Sequence, residues 1–117
     1  MIFIIEDDKV MAECIARACV NYDVRVFSNA IETMDVISGG EMPDLIFLDI
    51  LLEGPDGFTF LNELVSYTDT AKIPIVVVSS LDFKDVDLSV YGVVGILNKD
   101  IMLPEDIKEY ASKYCSK

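Results

Sequence analysis

Histidine is absent from the 117 residues, and cysteine occurs only three times, at Cys14, Cys19 and Cys115. None of the three belongs to a Cys-x-x-Cys pair, and without imidazole a zinc site would lack its usual ligands. Buried or indifferent thiols in a reducing cytoplasm are the reading that remains. Positive charge is scarce: 9 Lys and Arg stand against 21 Asp and Glu, a formal net charge of -12. So acidic a surface argues against direct nucleic acid binding and against anionic membranes, since both rest on Lys and Arg. It suits divalent cations and basic protein partners. The longest apolar run, residues 75–78 with their neighbours, falls far short of the ~20 residues a membrane helix needs. No basic region precedes Ile2-Phe3-Ile4-Ile5 and no small-residue cleavage site follows, so the start does not read as a secretory signal. Linkers, internal repeats and low-complexity tracts are also missing. The length suits one compact domain over residues 1–117.

Apolar residues, by contrast, are plentiful, at 52% with a mean hydropathy of +0.41. They fall into strand-length runs alternating with segments of helical period. Ile2-Phe3-Ile4-Ile5 is nearly continuous, the mark of a strand buried on both faces. Over residues 9–20, Val10, Met11, Ile15, Ala18 and Cys19 recur at three- and four-residue spacing, a helical face. Val24-Arg25-Val26-Phe27 reads as a second strand. Ser28-Asn29 can cap a helix through Ile37, with Glu32 placed as in a capping box and Gly39-Gly40 stopping it. Leu45-Ile46-Phe47-Leu48 is a third strand, followed by the turn formers Glu53-Gly54-Pro55-Asp56-Gly57. Residues 58–67 form an amphipathic helix, Ile75-Val76-Val77-Val78 the strongest strand, and residues 83–90 a weak helix. A fifth strand over residues 93–97 is interrupted by Gly95, and Pro104-Glu105-Asp106 opens a last helix. Strict alternation predicts a flavodoxin-like, doubly wound α/β fold. It has a five-stranded parallel sheet, order 2-1-3-4-5, with helices on both faces.

In such a sheet ligands bind beyond the carboxyl ends of the strands. Glu6, Asp7 and Asp8 follow the first strand, Asp49 the third, Ser79 and Ser80 the fourth, and Lys99 the fifth. Acids on two adjacent strands make a hard-oxygen cluster suited to Mg²⁺, and without a cation each charge would raise its neighbours' pKa. A lysine opposite offers a compact cation for a phosphoryl oxygen, and a serine hydroxyl adds a neutral donor. Together they form a site for phosphoryl transfer by positioning and charge neutralisation. Plainer roles stand beside these. Glu6-Asp7-Asp8 could serve a helix N-terminus, Asp49 and Ser79 could be caps, and Lys99 a solvated lysine.

Across essentially its whole length the chain resembles the receiver domains of two-component signalling, in a chemotaxis-response-regulator-like form. The resemblance rests on five motifs in order. They are Ile4-Ile5-Glu6-Asp7-Asp8; Asp44-Leu45-Ile46-Phe47-Leu48-Asp49-Ile50; Gly54-Pro55-Asp56-Gly57; Pro74-Ile75-Val76-Val77-Val78-Ser79-Ser80; and Leu97-Asn98-Lys99. It implies that Glu6 and Asp7 bind Mg²⁺, with the Leu51 backbone carbonyl as a further ligand. It implies that Asp49 is the phosphoacceptor, that Ser79 turns toward the phosphoryl group and that Lys99 pairs with it. It also implies a cytoplasmic signalling switch, an enzyme only in catalysing its own phosphorylation and dephosphorylation. Its partners would be a sensor histidine kinase or phosphotransfer protein upstream, and a downstream protein or covalently attached output domain. The chain itself would be a monomer or weak dimer.

Three positions depart from the family pattern. Asp100 replaces the usual proline after the lysine, and a cis peptide before a non-proline residue costs ~2.5–4 kcal/mol, which leaves that loop open to rearrangement. Ile96 replaces the frequent aromatic of the fifth strand, and Glu53 a frequent proline. Leu51 and Leu81 stand where receivers tune hydrolysis, and two apolar side chains there would shield an acyl phosphate from water. A receiver-like interaction module that never carries phosphate is the alternative, opposed by the intact acids and lysine. A haloacid-dehalogenase-like phosphatase needs Asp-x-Asp after the first strand, which Glu6-Asp7-Asp8 lacks. A flavodoxin-like electron carrier needs a phosphate loop there, and an acidic loop would repel it.

Overall fold

The computed structural model describes residues 1–50, 57–80 and 87–115, with the backbone alone for Gly57 and Phe58. The strands are β1 (Ile2–Ile5), β2 (Val24–Phe27), β3 (Leu45–Asp49), β4 (Ile75–Ser79) and β5 (Val93–Asn98). They pair parallel in the order β2-β1-β3-β4-β5, as the alternation of runs predicts. The helices are α1 (Lys9–Ala18), α2 (Ala30–Ser38), α3 (Gly57–Val65) and α4 (Pro104–Tyr114).

Up to their polar last residues, Asp49 and Ser79, the central strands are apolar because both faces of the sheet are covered. Successive residues alternate sides. Ile2, Ile4, Leu45, Phe47, Val76 and Val78 point to a core shared with Ile15 of α1 and Ile107 and Ala111 of α4. Phe3, Ile5, Ile46, Leu48, Ile75 and Val77 point to the opposite core, built with Ala30 and Ile37 of α2 and Phe60, Leu61 and Leu64 of α3. Among the described residues, two helices cover each face. β2 and β5 are the edges and carry the exposed apolar positions Val26, Val94 and Ile96.

The helix ends follow local chemistry. The Asp8 carboxylate caps α1, accepting from Val10 N at 2.9 Å and Met11 N at 3.3 Å. Asn29 Oδ1 accepts from Glu32 N at 2.9 Å at the start of α2, one half of the expected capping box. Beyond α2, Gly40 adopts φ +101°, a left-handed conformation that suits glycine and turns the chain toward β3. At α4 the Asp106 carboxylate accepts from Leu103 N at 2.8 Å, with Pro104 opening the helix. α1 stops at Ala18 rather than Val20, which is left exposed, and α3 stops at Val65 before exposed Tyr67. Of the weak helix expected over residues 83–90, residues 83–86 lie outside the described residues. Its end is a single 3₁₀ turn at Ser89–Tyr91.

Candidate functional site

Parallel strands bring their carboxyl ends to one edge of the sheet, where β1, β3, β4 and β5 deliver Glu6, Asp49, Ser79 and Lys99. Glu6 follows β1 directly and is buried with Asp49, the last residue of β3, at 3% and 5% exposure. β3 and β4 are in register Asp49↔Val78, which puts Ser79 one step beyond Asp49 on the adjacent strand. Lys99 N donates to Ser79 O at 3.0 Å, extending the β4–β5 ladder and fixing where the lysine leaves the sheet.

The Lys99 side chain turns back over the edge. Its ammonium donates to Glu6 Oε1 at 3.1 Å, sits 3.1 Å from Glu6 Oε2 and lies 3.4 Å from Asp49 Oδ2. One cation thus spans two buried carboxylates. Asp7 completes an acidic group, and one oxygen each from Glu6, Asp7 and Asp49 lies within 4.8 Å of the others. Glu6 Oε2 is buried and accepts no hydrogen bond, despite its ionic contact with Lys99.

Burial sets the protonation chemistry. It pushes the Glu6 carboxyl up to about 7; the Lys99 hydrogen bond opposes the rise and the Asp49 charge adds to it. For Lys99, burial works against the charged form. The hydrogen bond and charge of Glu6, with the charge of Asp49, outweigh it and hold the ammonium above its ordinary pKa. Three carboxylates, one with an unsatisfied buried oxygen, make an oxygen-donor set that fits a small divalent cation.

Of the residues singled out in the sequence, Glu6, Asp7, Asp49 and Lys99 are brought into one cluster, with Ser79 beside it. Leu51 and Leu81 lie outside the described residues, as do Glu53 and the turn 54–56. The Asp8 carboxylate caps α1 instead, while its N–H donates to Glu6 Oε1 at 3.2 Å. The Lys99–Asp100 peptide is trans. A turn built on Asn98 organises that loop: its Oδ1 accepts from Asp100 N at 2.8 Å and its carbonyl from Met102 N at 2.8 Å. From sequence alone Asn98 carries no role. The signal was an Asn two residues before the chain must turn.

Sheet order and helix placement are those of the flavodoxin-like doubly wound class. The model of the response regulator receiver domain matches residues 2–111, and the chain belongs to that family. The structure of the phosphorylated cyanobacterial phytochrome response regulator RcpA superposes with TM-score 0.84 at 26% identity, covering 98% of this chain and 93% of that one. The Mn²⁺-bound form of the response regulator Rcp1 superposes with TM-score 0.82 at 20% identity, covering 99% and 94%. Among curated proteins, the response regulator PleD of Caulobacter vibrioides is 40% identical over 42 residues, 36% of this chain and 9% of PleD. A protein-glutamate methylesterase/protein-glutamine glutaminase of Chromobacterium violaceum is 29% identical over 113 residues, 86% of this chain and 29% of that protein. The chain thus spans under a third of the length of either curated relative.

Proposed function

We propose that this chain is a phosphoacceptor switch whose Asp49 carboxylate accepts a phosphoryl group from a phosphohistidine or small phosphodonor. The observation that carries the reading is the Lys99 ammonium set between Glu6 and Asp49, 3.1 Å and 3.4 Å from their oxygens. A nucleophilic aspartate must lose its repulsion from an incoming anion, and a lysine in that place supplies the charge without blocking the carboxylate. An Asp49 oxygen forms the new O–P bond as the bond to the donor's leaving group breaks. Lys99 then pairs with a phosphoryl oxygen, and the Ser79 hydroxyl offers a neutral donor from the next strand. Glu6, Asp7 and Asp49, with the Leu51 carbonyl, would hold Mg²⁺, which supplies charge neutralisation when bound. Hydrolysis of the acyl phosphate resets the switch.

The readout is a population shift in β5 and the segment before it, changing affinity for an output partner or attached domain. The donor is a sensor histidine kinase or phosphotransfer protein, the setting cytoplasmic, and the chain 1–117 a single receiver, monomeric or weakly dimeric. Among the described residues no helix is long and apolar enough to cross a membrane.

Intact mass after incubation with acetyl phosphate and Mg²⁺ tests the proposal. A single phosphoryl increment that requires Mg²⁺ and disappears in Asp49→Ala is expected. No increment, together with no Mg²⁺ binding, would replace the switch with a constitutive interaction module.

A further inference from the structure

On the face of the sheet covered by α2 and α3, two cavities open along the seam between these helices. One, about 220 Å³, is bounded by Ile31 and Met34 of α2 and Phe60 of α3. The other, about 460 Å³, continues past Ile37 to Met42 and Tyr67. Met34 and Glu63 line both, so they form one continuous groove. Its rim exposes apolar surface, with Ile31 at 57%, Met42 at 40% and Tyr67 at 61%. Apolar residues scattered singly on a surface need no explanation, but a contiguous set along a groove marks a contact site. Two methionines among them supply side chains that repack around different shapes.

The charge along the groove has one sign. Asp35, Glu63 and Asp69 line it, and among the described residues neither cavity is lined by a lysine or arginine. None of Glu6, Asp7, Asp49, Ser79 or Lys99 takes part, so the groove is separate from the site above. From Ile31 to Ser38 the groove follows α2 for seven residues, about 10 Å at 1.5 Å per residue. That span matches anchors at i, i+4 and i+7 of a docked helix.

We propose that the α2–α3 groove docks a basic amphipathic helix of a partner protein, its apolar anchors between α2 and α3 and its Lys or Arg side chains against Asp35, Glu63 and Asp69. A nucleic acid or anionic membrane would be repelled by the same carboxylates. A second copy of this chain carries the same net charge of -12 and offers few cations to complement the rim. A basic helix satisfies both the apolar floor and the acidic edge.

The test uses the full chain, ¹⁵N-labelled, titrated with a synthetic lysine-rich peptide carrying leucines at i, i+4 and i+7. A peptide of identical composition, shuffled to scatter the leucines, is the comparison. Amide shift changes concentrated in residues 30–42 and 59–70 are expected, with affinity at least tenfold weaker for the shuffled peptide. Asp35→Lys combined with Glu63→Lys should cost at least tenfold. Ile31→Asn, which removes apolar rim without changing charge, should do the same. Glu109→Lys, at an exposed position of α4, makes the same kind of charge change elsewhere and should leave affinity within twofold. The proposal is overturned by no binding, by equal affinity for the shuffled peptide, or by shifts centred on Glu6 and Asp49. It is also overturned if Glu109→Lys weakens binding as much as the paired reversal, because the peptide would then report net charge alone.

Discussion

Lys99 spans two buried carboxylates, one of which, Glu6, also accepts from Asp8 N at 3.2 Å. The Glu6 and Asp49 side chains are 1% and 6% exposed, and the Lys99 side chain is 19% exposed. Removing one partner of a buried ion pair leaves an uncompensated charge, so Lys99→Met should cost up to about 3 kcal/mol in metal-free protein at pH 8. Mg²⁺ at tenfold its dissociation constant adds about 1.4 kcal/mol to any state that binds it. Urea unfolding with and without Mg²⁺ measures both. A Lys99→Met chain as stable as the parent, metal-free, would mean the lysine is a solvated surface group after all. The thiols divide just as sharply. Cys14 is exposed while Cys19 and Cys115 are buried. Burial, aided by Cys115, pushes the Cys19 thiol up to about 11, and burial raises Cys115 as well. Since the thiolate is the nucleophile, iodoacetamide at pH 8 should add once to the native chain, at Cys14, and three times in urea. Intact mass reads the count; rapid modification of Cys19 in the native chain would contradict its burial.

At the scale of elements, the join between β5 and α4 depends on a missing side chain. A Cβ at Gly95 would fall 2.7 Å from Tyr110 Cε1 and closer still to the phenolic end of that ring. Gly95→Ala should therefore cost roughly 1–3 kcal/mol as overpacking, and far less when Tyr110→Ala is made with it. Chemical denaturation of the four proteins of that cycle gives the coupling. Additive losses would show that Gly95 is needed for some other reason. From sequence, Gly95 read only as an interruption in the fifth strand, because nothing local links it to a tyrosine fifteen positions later. The caps were more legible. Asn29 caps α2 as its spacing predicts, since capping is settled within three residues. Glu6-Asp7-Asp8 was harder. Helix capping and cation binding both use carboxylates, and local sequence does not say which acid faces α1 and which faces β3. The register β1↔β3 and the start of α1 at Lys9 separate them.

For the whole molecule, pH acts through the buried acid. With Glu6 near 7 in the folded chain and near its ordinary 4.5 when unfolded, the folded state binds more protons between roughly pH 4.5 and 7. The stability contributed by this group is full below 4.5 and is lost as pH rises through 7. In metal-free protein, the difference in unfolding free energy between the parent and Glu6→Gln should shift in favour of the variant from pH 5 to pH 8. Mg²⁺ should oppose the loss, since it favours the charged carboxylate. Parallel pH profiles for parent and variant would sink the assignment.

The sequence by itself determined the layered fold, because buried parallel strands must be continuously apolar and their connecting helices must be amphipathic. These patterns are local and periodic, so five runs and their spacing suffice to place Glu6, Asp49, Ser79 and Lys99 at one edge. Tertiary structure alone decided how those groups interact. Whether Lys99 reaches Asp49, Glu6 or both depends on the side-chain path across β4 and on the Asn98 turn. That the Glu6 carboxyl is pushed toward neutrality follows from its burial in the folded chain. The α2–α3 groove is likewise invisible in either helix alone, because its floor and its acidic rim come from residues some thirty positions apart, brought together only when both helices pack on the sheet.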